Sequence, residues 1–122
     1  MNKTLEAKVI TKDALNDKIN KGESFQLLNV LDPKDYGLGV IKGSMKIPLA
    51  ELEKRFSELD NSKEIVTYCA DTSCNASRKA AEMLAEKGFK VSAYVGGIKE
   101  WTAAKLPVEE ASTSARLNEA NA

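Results

Sequence analysis

The sequence contains no histidine, which excludes imidazole general bases, Ser-His-Asp triads and histidine metal ligands. Cysteine is scarce: Cys69 and Cys74 are the only two in 122 residues. Two thiols five positions apart make no disulfide framework, and the spacing is not the Cys-x-x-Cys of zinc or thioredoxin-type sites. Charge imbalance is also lacking, since 18 Lys and Arg offset 18 Asp and Glu. No attraction of the whole surface to nucleic acid or anionic lipid follows. No apolar run approaches the roughly 20 residues of a membrane helix. The opening segment, MNKTLEAKVITKDALNDK, lacks the apolar core of a secretory signal. The expected location is the cytoplasm, where thiols stay reduced.

What is present is an ordinary globular composition, 43% hydrophobic and 30% charged, of a length that suits one domain with one core. Strand-like and helix-like apolar segments alternate along it. Ala7–Ile10 reads as a short strand, and Thr11 as the N-cap of a helix carrying Ala14, Leu15 and Ile19 and ending at Gly22. Phe25–Leu31 is nearly continuous and apolar, as in a strand covered on both faces. Asp32-Pro33 opens a helical turn, and Met45–Ile47 is a further short strand. Leu49, Leu52, Phe56 and Leu59 form a helical stripe. Glu64–Cys69 is a β-branched, aromatic strand. The next helix, about Ala76–Lys87, puts Ala76, Ala80, Met83, Leu84 and Lys87 on one face and ends at Gly88. Lys90–Val95 is the last strand, before Gly96-Gly97 and a helix with Ile98 and Trp101. The domain spans residues 1–108, and the polar segment 109–122 reads as a disordered tail with Glu109 and Glu110 as ordinary charges.

Such alternation implies a parallel sheet between helices, with sites at the carboxyl ends of strands. Cys69 stands at one of those ends. After it come Ala70, Asp71, Thr72, Ser73, Cys74, Asn75 and Ala76, a loop of small and polar residues running into a helix. Such a loop can turn several backbone N–H groups toward the sulfur and stabilise a thiolate or persulfide with a lowered pKa. The other reading of Cys69 is a small hydrophobe at the end of a strand. Cys74 also has two readings: a resolving thiol that forms a disulfide with Cys69, or a small residue on the loop wall.

Three motifs occur in order across most of the chain. Asp35–Leu49, DYGLGVIKGSMKIPL, is similar to an acidic-Tyr-x-x-Gly-His-Ile-x-Gly-Ala-x-x-Ile-Pro signature. Tyr68-Cys69 and the loop follow. Val95-Gly96-Gly97-Ile98-Lys99-Glu100-Trp101 and Leu106-Pro107-Val108 close the pattern. With these motifs, the span from about Thr11 to Val108 resembles a rhodanese-like domain. The resemblance implies a three-layer α/β/α fold on a central five-stranded parallel sheet. It also implies a sulfurtransferase in which Cys69 takes sulfane sulfur as a persulfide from a small donor and passes it to a thiol or protein acceptor. No metal or organic cofactor is implied, nor a nucleic acid or membrane partner. Some members of the family are noncatalytic, so a protein-binding or redox-sensing module is the alternative.

The chain departs from the family pattern at several points. Asn29-Val30-Leu31 stands where the family has Asp-Val-Arg, so the arginine that would pair with Asp35 is missing and Asp35 is expected in solvent. Val40 replaces the signature histidine. The loop is longer, with Ser77 eight positions after Cys69 and expected in the first turn of the helix. It also carries Asp71 in place of a basic residue, and an inward Asp71 would repel a dianion such as thiosulfate, making it a poor donor. A related phosphatase or arsenate reductase would need an oxyanion-gripping arginine where Asn75 stands.

Overall fold

The computed structural model describes residues 8–109. Five strands form one parallel sheet: β1 (Lys8–Ile10), β2 (Phe25–Asn29), β3 (Ser44–Lys46), β4 (Glu64–Tyr68) and β5 (Val91–Tyr94). Their order is β1-β5-β4-β2-β3. Four α-helices accompany them: α1 (Lys12–Asn20), α2 (Leu49–Arg55) and α3 (Ala76–Glu86) connect strands, and α4 (Gly97–Ala103) follows β5. Every residue of β5, and every residue of β4 after Glu64, is buried. Side chains alternate between the faces of a strand, so the sheet is covered on both sides. The chain is therefore an α/β protein with helices flanking a five-stranded parallel sheet, as the pattern of elements implied.

Local chemistry explains most of the boundaries. Thr11 caps α1, its Oγ1 accepting from Ala14 N at 3.1 Å. Asp32 accepts from Lys34 N and opens a 3₁₀ turn over Pro33–Leu38. The stripe expected as a single helix from Leu49 to Leu59 stops at Arg55 and tightens into a 3₁₀ turn at Phe56–Glu58. Leu52 and Leu59 remain buried. In α3 the buried face is Ser77, Ala80, Ala81 and Leu84, while Lys87 is exposed. The expected face was thus rotated, because small residues let α3 approach the sheet closely and the larger Met83 lies at the margin of the contact. Trp101 is fully buried, and its indole N–H donates to Pro107 O at 2.8 Å.

Ala7, expected in the first strand, lies outside the described residues, as does the tail from Glu110 onward. Glu109 differs from its reading as a tail residue: its N–H donates to Val40 O at 2.7 Å, next to an antiparallel bridge between Ile41 and Val108. No described helix is long and apolar enough to cross a membrane.

Candidate functional site

β4 is the middle strand and ends at Tyr68, so Cys69 emerges where the carboxyl ends of the strands open. Two side chains on β4 fix this exit. Thr67 is buried, and its hydroxyl donates to Ser77 O at 2.8 Å, tying the start of α3 to the strand. The buried Tyr68 hydroxyl accepts from Ile41 N at 2.9 Å and from the Asn29 amide at 3.2 Å. It donates to Ser44 Oγ at 2.6 Å, and Ser44 in turn donates to Ile41 O. Asn29 Oδ1 also accepts from Leu31 N at 2.8 Å. Asn29 therefore satisfies the polar groups at the end of β2 without an ion pair, and Asp35 is only partly exposed. Burial pushes the Tyr68 hydroxyl above its ordinary pKa.

Cys69 is 1% exposed and forms part of the wall of a cavity of about 390 Å³. Val30, Leu31, Pro48, Leu49 and Ala50, just beyond the ends of β2 and β3, make its apolar walls. Asp32 and Asp35 add two carboxylates, and among the described residues no lysine or arginine lines the cavity. Of the loop residues singled out in the sequence, Ala70, Cys74 and Ala76 share this cavity with Cys69. The others point elsewhere. Asp71 Oδ1 accepts from Ser73 N at 3.1 Å and from the Ser73 hydroxyl at 2.6 Å, closing a turn at the top of the loop. Its Oδ2 lies 3.3 Å from Lys99 Nζ. Thr72 faces a shallow hollow beside Tyr94 and Glu100, and Asn75 is exposed at the start of α3 with no capping side-chain bond.

Two expectations change as a result. Asp71 does not face the cavity, so it is not the group that would repel a dianion there. Hydrogen bonds from Ser73 and Lys99 hold its carboxyl below the ordinary range. The loop N–H groups also bear on a different sulfur: those of Ala70 and Ala76 favour the Cys74 thiolate. Cys69 meets the Ser77 N–H and hydroxyl instead. That hydroxyl is fully buried and makes no hydrogen bond among the described residues.

The two thiols consequently shift in opposite directions. Burial pushes the Cys69 thiol up, and the adjacent Cys74 sulfur adds to the effect, outweighing the Ser77 groups. This reverses the lowering expected from the sequence, because a cysteine at the end of a covered strand loses more hydration than one loop can replace. Cys74 is partly exposed and also loses some hydration. The Cys69 S–H and the Ala76 and Ala70 N–H groups more than compensate, and its thiol lies below the ordinary value. The Cys69 S–H has a second acceptor in reach, the Cys74 carbonyl oxygen at 3.4 Å. Both cysteines are free thiols.

Helix α4 closes the far side of the loop. Ile98 N donates to Cys69 O and Lys99 N to Ala70 O, each at 2.9 Å. Gly97, at φ 75°, lets the loop backbone lie directly against the helix start. The glycine pair was legible as a backbone device. The roles of Ser77, Asn29 and Tyr68 were not, since each depends on a partner from another element.

Comparison with known proteins agrees with the fold. A family model described as rhodanese-like domain matches residues 11–104. An HTH-type transcriptional regulator of Mycobacterium tuberculosis is 35% identical over 101 residues, covering 83% of this chain and 44% of that protein. A Bacillus subtilis protein provisionally named a sulfur carrier is 36% identical over 94 residues, 76% of this chain and 50% of its own. The chain thus spans half or less of these two relatives. A sulfurtransferase of Allochromatium vinosum is 25% identical over 100 residues, 81% of this chain and 92% of its own. The crystal structure of a rhodanese-related protein from Thermoplasma volcanium superposes with a TM-score of 0.74 at 28% identity, covering 84% of this chain and 97% of that one. With the fold, the motifs and the family match in agreement, the chain belongs to the rhodanese-like domain family.

Proposed function

We propose that the chain is a sulfurtransferase that carries sulfane sulfur as a persulfide on Cys69. The Cys69 thiolate attacks the outer sulfur of a donor R–S–SH, and R–S⁻ leaves. An acceptor thiolate then takes the same sulfur and returns Cys69 to its thiolate form. The observation that carries this reading is the position of Cys69 at the carboxyl end of the middle strand, in a cavity with room for a small donor and facing the Ser77 hydroxyl and N–H. The names of relatives, sulfurtransferase and sulfur carrier, support it.

The cavity suggests the kind of donor. Its walls are apolar and its charges are the carboxylates of Asp32 and Asp35. A dianion such as thiosulfate would enter against like charge with no cation to meet it, whereas a neutral persulfide group would not. Thiosulfate is therefore a weak donor and a small-molecule or protein persulfide the better one. The acceptor is a thiol or a protein nucleophile. Both steps need reduced thiols, which fits the cytoplasm.

The test is sulfur transfer from glutathione persulfide, from polysulfide and from thiosulfate to cyanide, read as thiocyanate, for wild type and Cys69→Ser. Transfer that vanishes in Cys69→Ser supports the reading. A folded wild type with free thiols and no transfer from any donor would overturn it. That outcome would favour a redox-sensing or protein-binding module, a second reading supported by the contact between the two cysteines.

A further inference from the structure

We infer that Cys74 is a resolving thiol, so that the site releases sulfide by reducing the Cys69 persulfide internally, as well as passing sulfur onward. This rests on the sulfur-carrier reading of Cys69 and adds a second reaction to it.

The placement of the two thiols is the main ground. Cys69 and Cys74 line the same cavity, and the Cys69 S–H donates to the Cys74 carbonyl oxygen at 3.4 Å. The loop brings them together by its own hydrogen bonds. Cys74 N donates to Asp71 O at 3.1 Å, and Asp71 binds Ser73, so the chain doubles back over Cys69. The site also divides its anion-stabilising groups. The Ala70 and Ala76 N–H groups favour the thiolate of Cys74, the more exposed of the two cysteines. The Cys74 thiol lies below its ordinary pKa and the Cys69 thiol above it.

The step balances without an outside reagent. Cys69–S–SH has formed, and Cys74–S⁻ attacks its inner sulfur. The Sγ–Sγ bond forms and the bond to the outer sulfur breaks, with the electron pair leaving as hydrosulfide, HS⁻. The Cys74 sulfur is oxidised and the outer sulfur is reduced. Two equivalents of a low-molecular-weight thiol then reduce the Cys69–Cys74 disulfide, joining as their own disulfide and restoring both cysteines. The hydroxyl of Ser77, buried beside Cys69, can donate to the departing sulfur.

The experiment is a single turnover of the full chain with glutathione persulfide, excess donor being removed and no reductant added. Released sulfide and intact mass are followed in wild type, Cys74→Ser, Cys74→Ala and Cys69→Ser. Wild type is expected to release one sulfide per chain and lose the mass of two hydrogens, as the internal disulfide forms. Both Cys74 variants are expected to keep the mass of one added sulfur and to release sulfide at least ~10-fold more slowly, and two side chains guard against a folding artefact. Wild type that holds its added sulfur as long as the Cys74 variants do, with no disulfide, overturns the resolving role and leaves the carrier reading intact. Absence of any adduct in the Cys74 variants overturns both.

Discussion

Gly97 lies against the peptide that joins Ala70 to Asp71: a Cβ on Gly97 would stand 2.5 Å from the carbonyl carbon and oxygen of Ala70 and 2.7 Å from Asp71 N. The obstacle is backbone, so no side chain can swing aside. The site loop and the start of α4 are shaped to each other at this point, and Gly97 also holds a φ of 75° that a substituted residue tolerates poorly. Gly97→Ala is expected to cost about 1–3 kcal/mol in urea unfolding. Sulfur transfer should fall further than the lost stability accounts for, because Ile98 N and Lys99 N would release the Cys69 and Ala70 carbonyls.

The opposite shifts of the two thiols predict an order of reaction. A thiol with a raised pKa holds less thiolate at neutral pH and gains it only as pH rises, whereas a lowered one is already partly ionised. Iodoacetamide at neutral pH is therefore expected to label Cys74 before Cys69, as read by peptide mapping. Cys69 labelling should keep rising into the alkaline range after Cys74 labelling has levelled. Equal rates at neutral pH would contradict the division of hydrogen bonds between them.

Ser77 separates stability from chemistry. Its hydroxyl makes no hydrogen bond among the described residues, so Ser77→Ala removes none and should leave the melting temperature within a few degrees of wild type. The same change removes a hydroxyl that favours the Cys69 thiolate. Cys69 alkylation at neutral pH is expected to fall by about three- to tenfold, with its pH profile moved to higher pH.

Tyr68 is the reverse case. Tyr68→Phe leaves a buried Ile41 N–H, the Asn29 amide and Ser44 Oγ without the oxygen they share. A loss of about 1–3 kcal/mol is expected in equilibrium denaturation, with little change in the pH dependence of Cys69.

The carboxylates of the cavity predict donor preference. Asp35→Asn removes one like charge without changing size and should lower the KM for thiosulfate by about two- to fivefold at low salt, with a smaller effect for a neutral persulfide. High salt should erase the difference.

Much of this was legible in the sequence, and the remainder has a physical pattern. Thr11, Asp32-Pro33 and Gly88 act within one turn of their own positions, so their roles could be read locally. The run Glu64–Cys69 declared a buried strand by its β-branched and aromatic content, and the end of that strand gave the place of Cys69. Asp71 could not be placed the same way, because Lys99 comes from another helix and cancels its charge. The Asn29, Tyr68 and Ser44 network joins three strands. The buried face of α3 was misjudged because Ser77 and Ala81 look indifferent to burial until the sheet behind them is known. The direction of the Cys69 shift depends on how completely the strand is covered and on which sulfur the loop N–H groups reach.

The middle position of β4 bears on how the protein opens. Partial unfolding begins at the periphery of a sheet, and the short outer strands β1 and β3 can fray while the centre stays paired. The amides of β4 should therefore exchange with solvent hydrogen only in the rarest, global openings. The persulfide proposed for Cys69 would thus be mounted on the last foldon to come apart, its lifetime governed by the chemistry of the loop above it and not by breathing of the scaffold below.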